Sequence, residues 1–109
     1  MNEEIIHQIR DRLKQSLDVA QLILFGSCAV KGDVADSDID LVVVLNQKGF
    51  SKSYAEKIQK RSSVTKLLSD IRRRIPLDVL VYSQDEWELL SQQDTSFIRE
   101  IKATGIKLI

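Results

Sequence analysis

The segment LVVVL, at residues 41–45, constrains the fold of this chain more than any other stretch. It is continuously apolar and rich in β-branched side chains, which favours a β-strand covered on both faces. A strand covered in this way needs other elements above and below it. The segment therefore predicts a layered fold in which helices pack on a sheet.

Other short apolar runs predict the remaining strands. LILF, at 22–25, is stopped by Gly26, and LDVLVY, at 77–82, follows Pro76. The tail IKLI predicts an additional edge strand. Because these runs alternate with helical patterns, we expect one α/β domain over residues 1–109, with a small sheet flanked by helices.

The helical patterns place apolar residues at steps of three and four. The first predicted helix spans about 2–17. A long helical segment follows the second strand and ends at Pro76. Its expected apolar stripe consists of Tyr54, Ile58, Val64, Leu67, Leu68, Ile71 and Ile75. Ser83 predicts the cap of a short helix, and a last helix is expected over about 94–103, with Phe97, Ile98 and Ile101 inward.

Composition excludes several classes of protein. Sixteen basic and sixteen acidic residues cancel, so charge gives no general attraction to nucleic acid. A single cysteine, Cys28, indicates a reducing compartment. No signal peptide and no run of about 18 apolar residues is visible, so we expect a soluble cytoplasmic protein without a membrane span.

Two aspartates open the buried strand. Asp38 and Asp40 are two residues apart, so they project to one side while Ile39 points into the core. Like charges held this close repel each other, and a divalent cation relieves the repulsion. Asp78, inside the third apolar run, adds a carboxylate if the two strands are neighbours. Three carboxylates can hold two Mg²⁺ ions about 3.5–4 Å apart for an in-line phosphoryl displacement.

The Gly26-Ser27 pair predicts a phosphate-binding turn. It ends a strand and leads into the segment SCAVK, whose helical start would present backbone N–H groups to an anion. Lys31 adds a positive charge for the same phosphates. The pattern GxxxxGK[ST] is absent from the sequence, which argues against a P-loop ATPase.

Each signal also has a structural explanation. An aspartate pair at a strand end often only forms a turn, and a Gly-Ser pair alone indicates little. The conjunction of the Gly-Ser turn, Asp38 with Asp40, and Asp78 favours phosphate and metal binding.

The combined motif resembles a known family. Gly26-Ser27, the ten residues CAVKGDVADS, and then Asp38-Ile39-Asp40 are similar to the GSx10DxD signature of the minimal nucleotidyltransferases, within the polymerase-beta-like superfamily. Asp78 falls where that family has its third carboxylate. The resemblance covers about residues 20–109. The family commonly has a basic residue where Val30 stands here, with Lys31 one place later.

The resemblance implies a mixed sheet flanked by helices, as in the polymerase-beta-like palm. Asp38, Asp40 and Asp78 would hold the metals, and Gly26 and Ser27 would hold ATP or another nucleoside triphosphate. The implied reaction transfers AMP to an acceptor hydroxyl. Many bacterial members are antitoxins that act beside a HEPN-type toxin, so the expected acceptor is a partner protein. The alternative is a binding module that neutralises its partner by occlusion.

Other residues carry weaker signals. A Cys28 nucleophile lacks support, because the only histidine, His7, lies on a separate helix. The basic residues of the long helical segment predict a solvated face, and an RNA-end transferase using them is the third alternative. They are Lys57, Lys60, Arg61, Lys66, Arg72, Arg73 and Arg74. RNA binding is not expected, and the sequence leaves homo-oligomerisation open.

Overall fold

The structure is a computed structural model that describes residues 2–26, 29 and 38–109. The helices are α1 (Asn2–Ser16), α2 (Tyr54–Thr65), α3 (Ser69–Arg74), α4 (Gln84–Ser91) and α5 (Ser96–Thr104), with a 3-10 turn (Lys66–Leu68) between α2 and α3. The strands are β1 (Val19–Phe25), β2 (Ile39–Leu45), β3 (Leu77–Ser83) and β4 (Ile106–Lys107).

The strands form a mixed sheet. Within the described residues its order is β3-β2-β1-β4. β1 is antiparallel to β2 and to β4, whereas β2 and β3 are parallel. Because parallel neighbours need a crossover, the helical segment from α2 to α3 returns the chain to the start of β3. The predicted fold class, a small mixed sheet flanked by helices, is confirmed.

Helices cover both faces of the sheet. On one face, α1 and the helical segment from α2 to α3 bury Ile9, Leu13, Val64 and Leu68 against the strands, and we call this the first core. On the other face, α4 and α5 pack on the sheet in a second core. The second core consists of Ile23, Phe25, Val42, Val44, Trp87, Ile98 and Ile101. All five residues of LVVVL are buried, as the sequence predicts.

The long helical segment differs from its prediction at its N-terminal end. Tyr54 and Ile58 are 78% and 47% exposed, so they lie outside the core. The buried stripe begins only at Val64. Only the C-terminal part of α2 therefore contributes to the first core.

Glu86 ties the loop after β2 to the start of α4. Its carboxylate accepts hydrogen bonds from Lys60 Nζ at 2.7 Å, from the N–H of Ser51 at 2.9 Å and from the N–H of Ser83 at 2.8 Å. Ser83 completes a capping box by accepting from the N–H of Glu86. The solvated face predicted for the basic residues is therefore wrong for Lys60, whose side chain is only 14% exposed.

Burial raises the pKa of Glu86, but the hydrogen bonds from Lys60, Ser51 and Ser83 outweigh it and lower the pKa to about 2. The charged carboxylate is thus stabilised in the folded protein. Among the described helices, none has the length and apolarity needed to cross a membrane.

Candidate functional site

The candidate site lies where β1 ends and where β2 and β3 begin. Asp40 is the register partner of Phe25 on the antiparallel side and of Asp78 on the parallel side. Pairing therefore places the start of β3 directly beside Asp40. Asp78 therefore lies on the strand next to Asp40, which meets the condition for it to add a carboxylate to the cluster.

Strand alternation determines which way these residues face. Ile39 is fully buried in the first core, as predicted, so Asp40 points to the opposite face. Asp78 is in register with Asp40 and shares that face. Asp38 immediately precedes β2 and is exposed. The two strand carboxylates thus meet on the face covered by α4 and α5.

Gly26 brings the backbone close to the Asp40 carboxylate. Its φ is +79°, a conformation that L side chains rarely adopt. A Cβ atom added at Gly26 would overlap Oδ2 of Asp40. Glycine is therefore required here twice, by its backbone angle and by the carboxylate packed against it. The turn at Gly26 and the Asp40 carboxylate are therefore packed directly against each other.

Charge repulsion acts on Asp40. Partial burial raises its pKa, and the negative charges of Asp78, Asp38 and Glu100 raise it further. Each of these carboxylates is therefore close enough to Asp40 to disfavour its ionised form. Asp38 repels Asp40, as expected, and the repulsion of Asp40 by Asp78 is stronger than its repulsion by Asp38.

Glu100 is a residue of this cluster that the sequence did not identify. It lies on α5, whose Phe97 packs edge-on against Phe25 with ring centroids 5.5 Å apart. Because Phe25 is the register partner of Asp40, this contact carries Glu100, one turn after Phe97, towards the site. The helical periodicity around Ile98 and Ile101 showed which face of α5 is buried but not which strand it would meet.

Part of the predicted site falls outside the described residues. Ser27 and Lys31 lie there, as do Cys28 and most of the SCAVK segment predicted to start a helix. Ala29 is described and packs against the first core.

The donor set has the chemistry that magnesium prefers. Asp38, Asp40 and Asp78 offer hard carboxylate oxygens. Burial and repulsion together raise the pKa of Asp40, and a divalent cation relieves the repulsion. Within residues 2–26, 29 and 38–109, no group of three or more His, Cys, Asp or Glu is arranged to hold a metal ion. The fit therefore rests on the types of donor and on the register of Asp40 and Asp78.

Comparison with known proteins gives a family match over nearly the whole chain. The family model "Polymerase beta, Nucleotidyltransferase" matches residues 7–109. No curated protein matches the chain.

Solved structures share the fold at low sequence identity. A chain of the tri-AMPylated Shewanella oneidensis HEPN toxin in complex with MNT antitoxin gives a TM-score of 0.58 at 17% identity, covering 100% of this chain and 72% of the other. A mutant of the toxin–antitoxin MntA–HpeT gives 0.52 at 20% identity, covering 100% and 72%. A toxin–antitoxin with AMP-PNP gives 0.53 at 18% identity, covering 100% and 73%.

Proposed function

Because the chain belongs to the polymerase beta nucleotidyltransferase family, we propose that it is a metal-dependent nucleotidyltransferase that transfers AMP from ATP to a hydroxyl group on a partner protein. Membership confirms the resemblance drawn from the GSx10DxD signature. What we propose beyond membership is the identity of the nucleotide substrate, the dependence on a metal and the nature of the acceptor.

One observation carries the proposal. The parallel register pairs Asp40 with Asp78, and Gly26 holds the turn against the same Asp40 carboxylate. A fold gains no stability from carboxylates that repel one another on a partly buried surface, since each raises the free energy of ionising the next. This cost is explained if the carboxylates bind a metal ion that in turn binds a phosphate.

Asp38, Asp40 and Asp78 would hold magnesium, and Gly26, Ser27 and Lys31 would hold the triphosphate. When bound, magnesium neutralises the charge that develops on the phosphoryl oxygens during transfer. The raised pKa of Asp40 leaves this carboxylate a strong acceptor for a cation or for a proton.

The proposed reaction is an in-line displacement at the α-phosphorus. The acceptor oxygen forms a new bond to this phosphorus while the bond to the bridging oxygen of pyrophosphate breaks. Pyrophosphate leaves with the electron pair of the broken bond. Asp78, which is exposed to solvent, accepts the proton of the acceptor hydroxyl.

A HEPN-type protein is the proposed partner. The likeness to the tri-AMPylated HEPN toxin in complex with MNT antitoxin supports a protein acceptor, and the likeness to a toxin–antitoxin with AMP-PNP supports an adenine nucleotide. An antitoxin role follows if AMP transfer inactivates the partner.

The test is incubation of the protein with α-labelled ATP, magnesium and the product of a neighbouring HEPN-type gene. Asp38→Asn, Asp40→Asn and Asp78→Asn should each lower transfer of label at least 100-fold. Asp11→Asn, at an exposed carboxylate on α1, is the matched control and should retain activity. Full activity in the Asp40→Asn and Asp78→Asn proteins would rule out the proposed site.

A second function is a binding module that neutralises its partner by occlusion. The exposed apolar side chains of Phe50 and Leu89 favour it, because they offer an uncovered contact surface. The two functions separate in one assay. If Asp40→Asn abolishes labelling but still neutralises the partner, occlusion is the mechanism of neutralisation.

A further inference from the structure

The outer edge of β3 opens into a groove. β3 is the end strand of the described sheet, and the groove runs between α2 and α4 with a volume of about 430 Å³. Its floor is formed by Val79, Leu80, Val81 and Tyr82 of β3. It lies along a sheet edge, which is a surface that can accept another strand.

The backbone of β3 presents hydrogen-bonding groups to this groove. The carbonyl of Pro76 accepts from the N–H of Ile39 and so faces β2. Because backbone groups alternate along a strand, those of Val79 and Val81 face outward. Arg61 Nε donates to the carbonyl of Val79 at 3.1 Å. In the part of the chain that the structure describes, nothing bonds to the N–H or carbonyl of Val81.

Apolar side chains form the two rims of the groove. Phe50 on one rim is 55% exposed, and Leu89 on the other is 52% exposed. Leu80 and Leu90 line the space between them. An incoming strand would bury its alternate apolar side chains against these residues, and the rims would gain the burial they now lack.

The charge of the groove selects the partner. Lys57 and Arg61 line the wall formed by α2. Among the described residues, neither cation takes part in an ion pair. The lining carboxylate, Glu86, is already paired with Lys60 at 2.7 Å. The charge left uncompensated in the groove is therefore positive, and it complements acidic side chains.

We propose that the groove along β3 is a docking site for an extended, acidic and apolar segment of a partner protein, which adds a strand at Val81. Carboxylates of the segment pair with Lys57 and Arg61, and its apolar side chains pack against Phe50 and Leu89. The inference concerns binding alone and does not depend on nucleotidyl transfer.

The test is selection of a phage-displayed library of random eight-residue peptides on the purified protein, followed by affinity measurements with the enriched peptides. We expect enriched sequences that alternate apolar residues with Asp or Glu. Lys57→Glu and Phe50→Ala should each weaken their binding about tenfold. Lys66→Glu and Tyr54→Ala, which change an exposed lysine and an exposed aromatic outside the groove, are the matched controls and should leave affinity unchanged.

Val81→Pro removes the outward N–H of Val81 and should also weaken binding about tenfold, since proline cannot donate to an added strand. If Val81→Pro fails to fold, peptide-induced protection of the Val81 amide against hydrogen exchange in the unaltered protein replaces it. Asp40→Asn should bind the peptides normally, which separates this site from the proposed transferase site.

Several results would overturn the inference. They are enrichment of basic peptides, equal binding to the Lys57→Glu protein, no enrichment at all, or bound peptides that are helical. Self-association of the protein that Val81→Pro abolishes would assign the edge to a second copy of this chain instead.

Discussion

Asp40 is the residue at which stability and the proposed function conflict. Its burial, and the charges of Asp78, Asp38 and Glu100, raise its pKa above the ordinary value, so ionising it costs free energy in the folded state. By linkage, a raised folded-state pKa means that stability decreases as pH rises through that pKa. At neutral pH the cluster therefore destabilises the protein.

Asp40→Asn should consequently raise the melting temperature at pH 7 while removing the proposed activity. We expect a gain of less than about 1 kcal/mol, because the groups are partly exposed. The gain should shrink as pH falls below 3.8, the ordinary pKa of an aspartate, because the raised pKa of Asp40 lets it take up a proton more readily there. Thermal unfolding at pH 7 and at pH 3 measures both. A lower melting temperature at pH 7 would contradict the repulsion described above.

Gly26 and Gly49 form a matched pair at the residue scale. Both have positive φ, +79° and +89°, but an added Cβ overlaps Asp40 only at Gly26 and meets nothing within 4 Å at Gly49. Each substitution by alanine should cost about 1–2 kcal/mol in backbone strain. Gly26→Ala should in addition displace the Asp40 carboxylate.

Calorimetric titration of ATP with magnesium distinguishes the two glycine variants. Gly49→Ala should bind like the unaltered protein, whereas Gly26→Ala should bind at least tenfold more weakly. Equal binding by both would show that the carboxylate position is not set by the turn.

At the scale of elements, the two serine caps differ in the number of hydrogen bonds that they make. Ser83 is 1% exposed, caps α4 in a capping box and donates its hydroxyl to the carbonyl of Gly49 at 2.5 Å. Ser53 caps α2 through one bond to the N–H of Glu56, at an exposed position. Ser83 therefore connects α4 to the loop after β2, whereas Ser53 stabilises α2 alone.

Ser83→Ala should cost about 2–3 kcal/mol, because it removes a cap and leaves the Gly49 carbonyl without its donor. Ser53→Ala should cost about 0.5–1 kcal/mol. Urea unfolding of the two variants gives the comparison. Equal losses would mean that the Ser83–Gly49 contact adds nothing.

The hydrogen bonds of Glu86 connect several elements, and they make the stability of these connections depend on pH. Its folded-state pKa of about 2 lies below the ordinary 4.5, so its stabilising effect is complete above pH 4.5 and is lost as pH falls towards 2. We expect Glu86→Gln to lose about 1–2 kcal/mol at pH 6, allowing for partial solvent screening, and little at pH 2.5. Chemical unfolding across this range measures the difference, and a loss independent of pH would contradict the assignment.

The elements differ in how far the sequence predicted them. LVVVL was predicted as a buried strand because continuous apolar β-branched side chains leave few alternatives, and Ser83 was predicted as a cap from local chemistry. Tyr54 and Ile58 follow a helical period but are exposed, because periodicity gives a face of the helix and not its position over the sheet. Glu100 was missed for a similar reason, since only tertiary packing brings α5 to Asp40.

At the scale of the whole molecule, one sheet separates two cores and belongs to both. Val43 and Val44 are adjacent in sequence, but Val43 is buried in the first core and Val44 in the second. Trp87, the single tryptophan of the sequence, lies in the second. Both cores contain residues of β1 and β2, so loss of one should unfold the other.

Val43→Ala should therefore lower the urea midpoint of the Trp87 fluorescence change, which reports on the opposite face of the sheet, as much as it lowers the midpoint of the loss of helical signal. We expect a cost of about 1–3 kcal/mol, similar to that of Val44→Ala. Tryptophan fluorescence and far-ultraviolet circular dichroism, recorded on one urea series, should give coincident transitions. Separate transitions would show that the two layers unfold independently.

The two outer strands of the described sheet are very unequal. β3 has seven residues along its outer edge, whereas β4 has two, Ile106 and Lys107. A long edge cannot pair over its length with so short a partner, so β4 is a poor second surface for head-to-tail stacking of copies through the described sheet. An assembly that extends the described sheet would therefore add a strand at β3 in preference to β4. The inequality of the two edges thus favours a single added strand over a filament of stacked sheets.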